Sequence, residues 1–227
     1  MVDQPAPDPI LLAESLGDLV WLNRYLGGTA TITHQIGRLI DGERLGRLRV
    51  LDVGAGGGDI LVSLGRWLGR RGVDLEGVGL DSGRETVLIA DSWIRETRFA
   101  GSIGVVCGDA RSLPFPDRHF DVTVSSTFLH HLGREDAERA LREMARVSDL
   151  GVVVSDLRRG HLGYLAAWSL ANTVWRRHPY TRHDAQASMR AAFTMGEARR
   201  LAEAAGLQAE VEAQLWFRWA MRWRRPR

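Results

Sequence analysis

Four residues in one short stretch are the first place where this chain can do chemistry: Asp52, Gly54, Gly56 and Gly58, in the order D-x-G-x-G-x-G, with Asp59 directly behind them. Glycine has no Cβ, so alternating glycines let the main chain turn sharply and let a ligand press against it. Carboxylates on both sides of such a turn suit a positively charged ligand and disfavour a pyrophosphate. A dinucleotide fingerprint G-x-G-x-x-G would place its last glycine at Asp59, so that match fails. Two more acidic positions follow later apolar runs. Asp81, with Ser82 beside it, falls near the interval of about 20 residues at which a carboxylate meets ribose hydroxyls in nucleotide sites. Asp109, followed by Ala110, can accept a hydrogen bond from an adenine amino group while apolar neighbours sandwich the ring.

A second constellation can move a proton. Ser125-Ser126-Thr127-Phe128-Leu129-His130-His131 leaves one apolar run, and Asp156 ends the next. A histidine takes a proton at neutral pH, and a paired aspartate fixes its tautomer and stabilises its cation. The spacing alone does not separate His130 from His131. The remaining histidines show no H-E-x-x-H pattern, and no metal dependence is expected.

S-adenosylmethionine carries both an ammonium and a sulfonium charge. On these residues the sequence resembles the class I S-adenosylmethionine-dependent methyltransferases over residues 48 to 156, extending toward about 215. The overall pattern is similar to bacterial enzymes that act on phenolic, polyketide or quinone-type metabolites. The resemblance implies that Gly54, Gly56 and Gly58 form the floor under the methionine part and ribose, and that Asp52 orders the loop and the amino group. It places Asp81 and Ser82 at the ribose and Asp109 and Ala110 at the adenine, with His130, His131 and Asp156 as the catalytic set. The implied reaction is methylation of a small, largely apolar acceptor. O-methylation of a phenolic or polyketide-like group is the leading expectation, with C-methylation of a quinone-type ring, nucleic-acid methylation and a non-catalytic cofactor-binding module as the alternatives.

Elements must carry these residues to one edge. Short apolar runs alternating with helical patterns predict βα units and a parallel sheet. Strands are expected at Arg49 to Val53, Leu75 to Leu80, Ile103 to Cys107, Phe120 to Ser125 and Gly151 to Ser155, with a turn at Ser148 to Gly151 and two more strands between Gln208 and Trp223. Helical periodicity is expected over residues 60 to 68, Thr86 to Thr97, 137 to 147 and Met195 to Ala205. The fold class is therefore α/β, doubly wound, with the mostly parallel seven-stranded Rossmann-like sheet of the resembled family and helices on both faces. Residues 1–48 form an amino-terminal helical cap, broken at Gly27-Gly28, and residues 49–227 form the catalytic domain. About forty residues between the fifth strand and the helix at Met195 exceed a normal connection, so residues 157–193 are expected to be an inserted lid.

Composition narrows the rest. With 44% hydrophobic and 26% charged residues in 227, the chain can build a full core. All 30 basic residues are arginine, which removes lysine Schiff-base chemistry and a lysine-dependent phosphate loop. A net charge of +2 gives no whole-protein field for tight nucleic-acid binding. Cys107 is the single cysteine and is expected to be a small buried hydrophobe, in keeping with a reducing cytoplasm. The first residues lack a basic and then apolar leader, and the apolar stretch Leu162 to Trp175 falls short of the roughly 20 residues that span a bilayer. No stable membrane insertion is expected, and a homodimer stays open.

Overall fold

The computed structural model describes residues 8–173 and 187–226. Helix α1 (Pro9–Tyr25) starts at Asp8, whose carboxylate accepts the Ile10 N–H, with proline at the first helical position. Gly27, in the left-handed region, separates it from α2 (Gly28–Leu39). The remaining elements follow as β1 (Arg47–Val53), α3 (Asp59–Gly69), β2 (Asp74–Asp81), α4 (Arg84–Arg95), β3 (Ile103–Cys107), β4 (Phe120–Ser126), α5 (Arg134–Val147) and β5 (Ser148–Leu157). The chain then forms α6 (His161–Thr173), α7 (Met195–Ala204), β6 (Glu210–Gln214) and β7 (Arg218–Arg224). Thr194 and Glu197 close a reciprocal capping box at the start of α7.

The seven strands lie in the order β3-β2-β1-β4-β5-β7-β6. Strands β1 to β5 are parallel, and β7 runs antiparallel to both β5 and β6. Order reverses between β1 and β4, which is where open α/β sheets make a crevice at their carboxyl ends. Strand alternation sorts the core into two layers. Leu48, Val50 and Val153 pack with Ile32 and Ile36 of α2 and Leu61 and Leu64 of α3 on one face. Leu51, Val53, Val152 and Val154 pack with Leu141 and Met144 of α5 and Leu201 of α7 on the other. Helix α2 is thus one of the helices that cover the sheet, while α1 lies outside it.

Two local readings of the sequence are corrected. There is no turn at Ser148 to Gly151: α5 ends at Val147 and β5 begins at Ser148, with an irregular register that pairs Phe120 with Ser148 and then Val122 with Gly151. The buried Ser148 hydroxyl is held by Met144 O at 2.7 Å and Thr123 Oγ1 at 2.9 Å, which stabilises this direct passage. Cys107 is exposed rather than buried, because β3 is an edge strand and Cys107 ends it; Sγ reaches Ser82 O at 3.4 Å. Among the described residues, no helix is long and apolar enough to cross a membrane. The expected lid falls partly on residues 174–186, which lie outside the described residues.

Candidate functional site

The glycine loop joins β1 to α3 and hangs from the end of β2: Gly54 N and Ala55 N both donate to Leu80 O, at 2.9 and 3.0 Å. Gly54, Gly56 and Gly58 all have positive φ, at 74°, 51° and 74°. At Gly54 the need for glycine is also spatial, since a Cβ would fall 2.2 Å from the Phe128 ring. Asp81 ties the loop further. Its carboxylate accepts Gly56 N–H at 3.1 Å and Gly83 N–H at 3.0 Å. Ser82 beside it is exposed.

Asp52 ends up under this loop with both carboxylate oxygens buried and without a hydrogen-bond partner. Burial, with Asp59 and Asp81 nearby, pushes its carboxyl well above the usual range. Asp59, in the first turn of α3, is pushed up to about 6 by burial even though the Asn23 amide donates to it at 3.2 Å. An orphaned carboxylate next to a loop cleared of side chains fits a ligand that brings positive charge and lies on the main chain. The first two acidic positions thus share one crevice. Asp109 sits apart: it is exposed, and Arg111 grips it through Nε at 3.0 Å and Nη2 at 2.8 Å and lowers its pKa, while Ala110 is buried.

The structure separates the two histidines. His130 Nδ1 lies 2.6 Å from Asp156 Oδ1, and the His130 backbone N–H donates to Oδ2 at 3.1 Å; both side chains are fully buried. Burial by itself would push the Asp156 carboxyl up, but His130, the Leu157 N–H at 2.6 Å and the field of Arg218 outweigh it and hold the group below the ordinary carboxylate range. An ionised Asp156 accepts from Nδ1–H, which leaves Nε2 of a neutral ring as the lone-pair nitrogen. Nε2 is buried and has no partner. His131 is exposed, with its ring centroid 4.1 Å from that of His130.

Two polar residues in this region, Arg218 and Asn23, escaped the sequence reading, and they meet Thr127 of the segment that leaves β4. Arg218 is only 3% exposed; Nη1 donates to Thr127 Oγ1 at 3.0 Å, and Nη2 donates to the same oxygen and to Asn23 Oδ1 at 3.3 Å. Burial pushes its pKa down to about 10, against the pull of Asp156 and Asp59. Asn23 is buried on α1 and joins this network to Asp59. Thr127 holds φ at 57°, a conformation costly for a β-branched residue, and its N–H donates to Ser155 O at 2.8 Å. Asn23 was signalled only as a polar residue among the leucines of α1. Arg218 begins β7 on the face against which α2 packs. Among the described residues, no cluster of histidine, cysteine or acidic side chains has the arrangement of a metal site.

Residues 50–151 match a family described as a methyltransferase domain. The ubiquinone/menaquinone biosynthesis C-methyltransferase UbiE of Azotobacter vinelandii is 37% identical over 112 residues, which is 48% of this chain and 40% of that protein. The uncharacterized methyltransferase YcgJ of Bacillus subtilis is 35% identical over 99 residues, 44% of this chain and 36% of that protein. The chain therefore spans less than half the length of these curated relatives. In fold, it superposes on a SAM-dependent methyltransferase from Aquifex aeolicus with a TM-score of 0.65 and 17% identity, covering 96% of this chain and 98% of the other.

Proposed function

We propose that this chain, whose residues 50–151 match a family described as a methyltransferase domain, transfers the methyl group of S-adenosylmethionine to a small, largely apolar acceptor bearing an ionisable hydroxyl. The observation that carries this reading is the buried Asp156–His130 pair, which leaves Nε2 without a partner two residues after Phe128, the ring that packs on Gly54 of the glycine loop.

Each residue has a distinct task. Asp52 faces the ammonium group; Gly54, Gly56 and Gly58 keep the main chain clear of side-chain bulk. Asp81 and Ser82 serve the ribose, and Asp109 and Ala110 the adenine. When bound, the sulfonium supplies an electrophilic methyl group that needs little covalent help, so positioning provides much of the acceleration. His130 Nε2 takes the hydroxyl proton of the acceptor, and Asp156 holds the ring in the tautomer that permits it. The exposed His131 packs on His130. Residues 49–227 act as the catalytic unit. Residues 157–193 serve as a lid, a role that suits the exposed Leu162, Leu165 and Trp168 of α6.

A buried histidine–aspartate base supports O-methylation of a phenolic or polyketide-like acceptor as the first outcome. The name of the Azotobacter relative favours a second outcome, methylation of a ring carbon in a quinone precursor. Both begin with the same loss of a proton, because a phenolate is nucleophilic at oxygen and at the adjacent ring carbons. A small-molecule acceptor also agrees with the net charge of +2, and a reducing cytoplasm with the single cysteine. Calorimetry with S-adenosylmethionine, followed by a screen of phenols and quinols with a deuterated methyl donor, tests the proposal; fragmentation of the product distinguishes O- from C-methylation. Uptake of a nicotinamide dinucleotide with no uptake of S-adenosylmethionine would overturn it.

A further inference from the structure

A buried guanidinium normally sits against a carboxylate, because leaving water costs a charge several kcal/mol unless an opposite charge or full hydrogen bonding compensates. Arg218 does not follow this rule. Its hydrogen bonds go to two neutral oxygens, Thr127 Oγ1 and Asn23 Oδ1, and its Nε is buried with no partner. The carboxylates of Asp156, on β5, and Asp59, on α3, attract it through space without a hydrogen bond to it. The first turn of α2 closes over the guanidinium so tightly that a Cβ on Gly28 would come within 2.9 Å of Nη2. A helix amino terminus carries partial positive charge, so a second positive element is stacked on the first. Thr127, which receives the guanidinium, is held in a strained backbone conformation only three residues before His130.

Three nitrogens in this region thus lie buried without partners: Nε2 of His130, which can take a proton, and Nε of Arg218 and Nε1 of Trp219, which can only donate; of the two donors only Arg218 carries a charge. We infer that Arg218 is the fixed positive charge that stabilises the acceptor's ionised hydroxyl oxygen, and that the enzyme thereby selects acceptors with an acidic phenol or enol. The step balances simply. The O–H bond of the acceptor breaks, the proton goes to His130 Nε2, and the electron pair stays on the oxygen in the field of Arg218. This inference rests on the methyl-transfer reading, but it adds that the site prefers the anion of its acceptor over the neutral molecule.

The probe is 4-nitrophenol, whose ionised form absorbs visible light, titrated from pH 5 to pH 9 with the full chain and S-adenosylhomocysteine, so that no methyl group is transferred. In the wild type, the phenolate is expected to bind at least about tenfold more tightly than the neutral phenol, which lowers the ionisation midpoint of the bound probe by about one unit or more. Arg218→Gln and the apolar Arg218→Met are expected to bind the neutral phenol as before and to lose the anion preference. Arg218→Lys, which keeps the charge, is expected to retain part of it. Equal affinity of the wild type for both forms overturns the inference without any variant being needed. So does an undiminished preference in either Arg218 variant, or an equal loss of both forms, which would mark a merely structural role. Calorimetry with S-adenosylmethionine separates the two readings. If the wild type takes up the cofactor but shows no anion preference, only the role of Arg218 falls. If Arg218→Gln loses cofactor affinity while probe ionisation is unchanged, the cation serves the cofactor's carboxylate instead. If the wild type takes up no cofactor, the methyl-transfer reading itself fails.

Discussion

Asp156 holds His130 at two points: Oδ1 lies 2.6 Å from the ring Nδ1, and Oδ2 accepts the backbone N–H of the same residue at 3.1 Å. One carboxylate therefore fixes both where the ring begins and which way it turns. His130 lies in the middle of the short helical turn Leu129–His131, which β5 braces from the side, and Nε2 is the one of its two ring nitrogens left uncommitted.

Replacing Asp156 by Asn keeps the shape but removes the negative charge that selects the Nδ1–H tautomer. We expect kcat to fall about 10²- to 10⁴-fold, the usual range for a lost acid–base contribution. Affinity for S-adenosylmethionine, measured by calorimetry, should stay within about twofold of wild type. A variant that lost cofactor affinity but kept kcat would contradict the assignment.

Asp52→Asn should move stability and binding in opposite directions. The folded-state carboxyl is raised by burial, so its contribution to stability is fully present below the unfolded value of about 3.9 and is lost as pH rises through the folded value. The amide does not titrate. The variant should therefore gain on wild type as pH increases, by an order of about 1–3 kcal/mol for one unsatisfied buried group, read from denaturant melts at pH 5 and pH 8. S-adenosylmethionine should bind roughly 10- to 100-fold more weakly, because the charge facing its ammonium is gone.

Gly54→Ala puts a Cβ where the Phe128 ring already lies and forces alanine into the left-handed region. A loss of about 2 kcal/mol or more is expected from overpacking and backbone strain together. Phe128→Ala opens that space. In the double variant the steric part should be relieved, so the two losses should not add. Strict additivity of the thermal or urea midpoints would show that the ring does not press on the loop.

Asp81→Ala removes the acceptor for both Gly56 N–H and Gly83 N–H, in addition to any contact with ribose hydroxyls. Cofactor affinity should drop about tenfold or more, and stability by about 1 kcal/mol from the loosened loop. Asp81→Asn, which keeps an oxygen for the loop, should recover much of the stability but less of the affinity. Unchanged affinity in the alanine variant would remove the ribose assignment.

Much of this fold was legible along the chain. β3 and the amino end of β4 begin where the apolar runs do, and the glycine loop lies between β1 and α3. Such features depend on local periodicity and on backbone angles that only certain residues reach, so neighbouring residues suffice to specify them. The passage from α5 into β5 was misread because its direct form depends on the Ser148 hydroxyl meeting Thr123 on another strand. Cys107 was misread because an edge position is a property of the whole sheet.

The sequence by itself determined a βα sheet, a bulk-free loop flanked by acid, and a histidine–aspartate pair at adjacent strand ends. Only the tertiary structure decided that His130 rather than His131 meets Asp156, that Asp52 is left without donors, and that Arg218 is buried against Asn23, 195 positions earlier in the chain. The physical reason is that burial and pairing of polar groups are set by which distant elements pack together. Residue type can announce that a group is able to carry charge; only the surrounding packed elements fix whether that charge is solvated, paired or left facing a ligand.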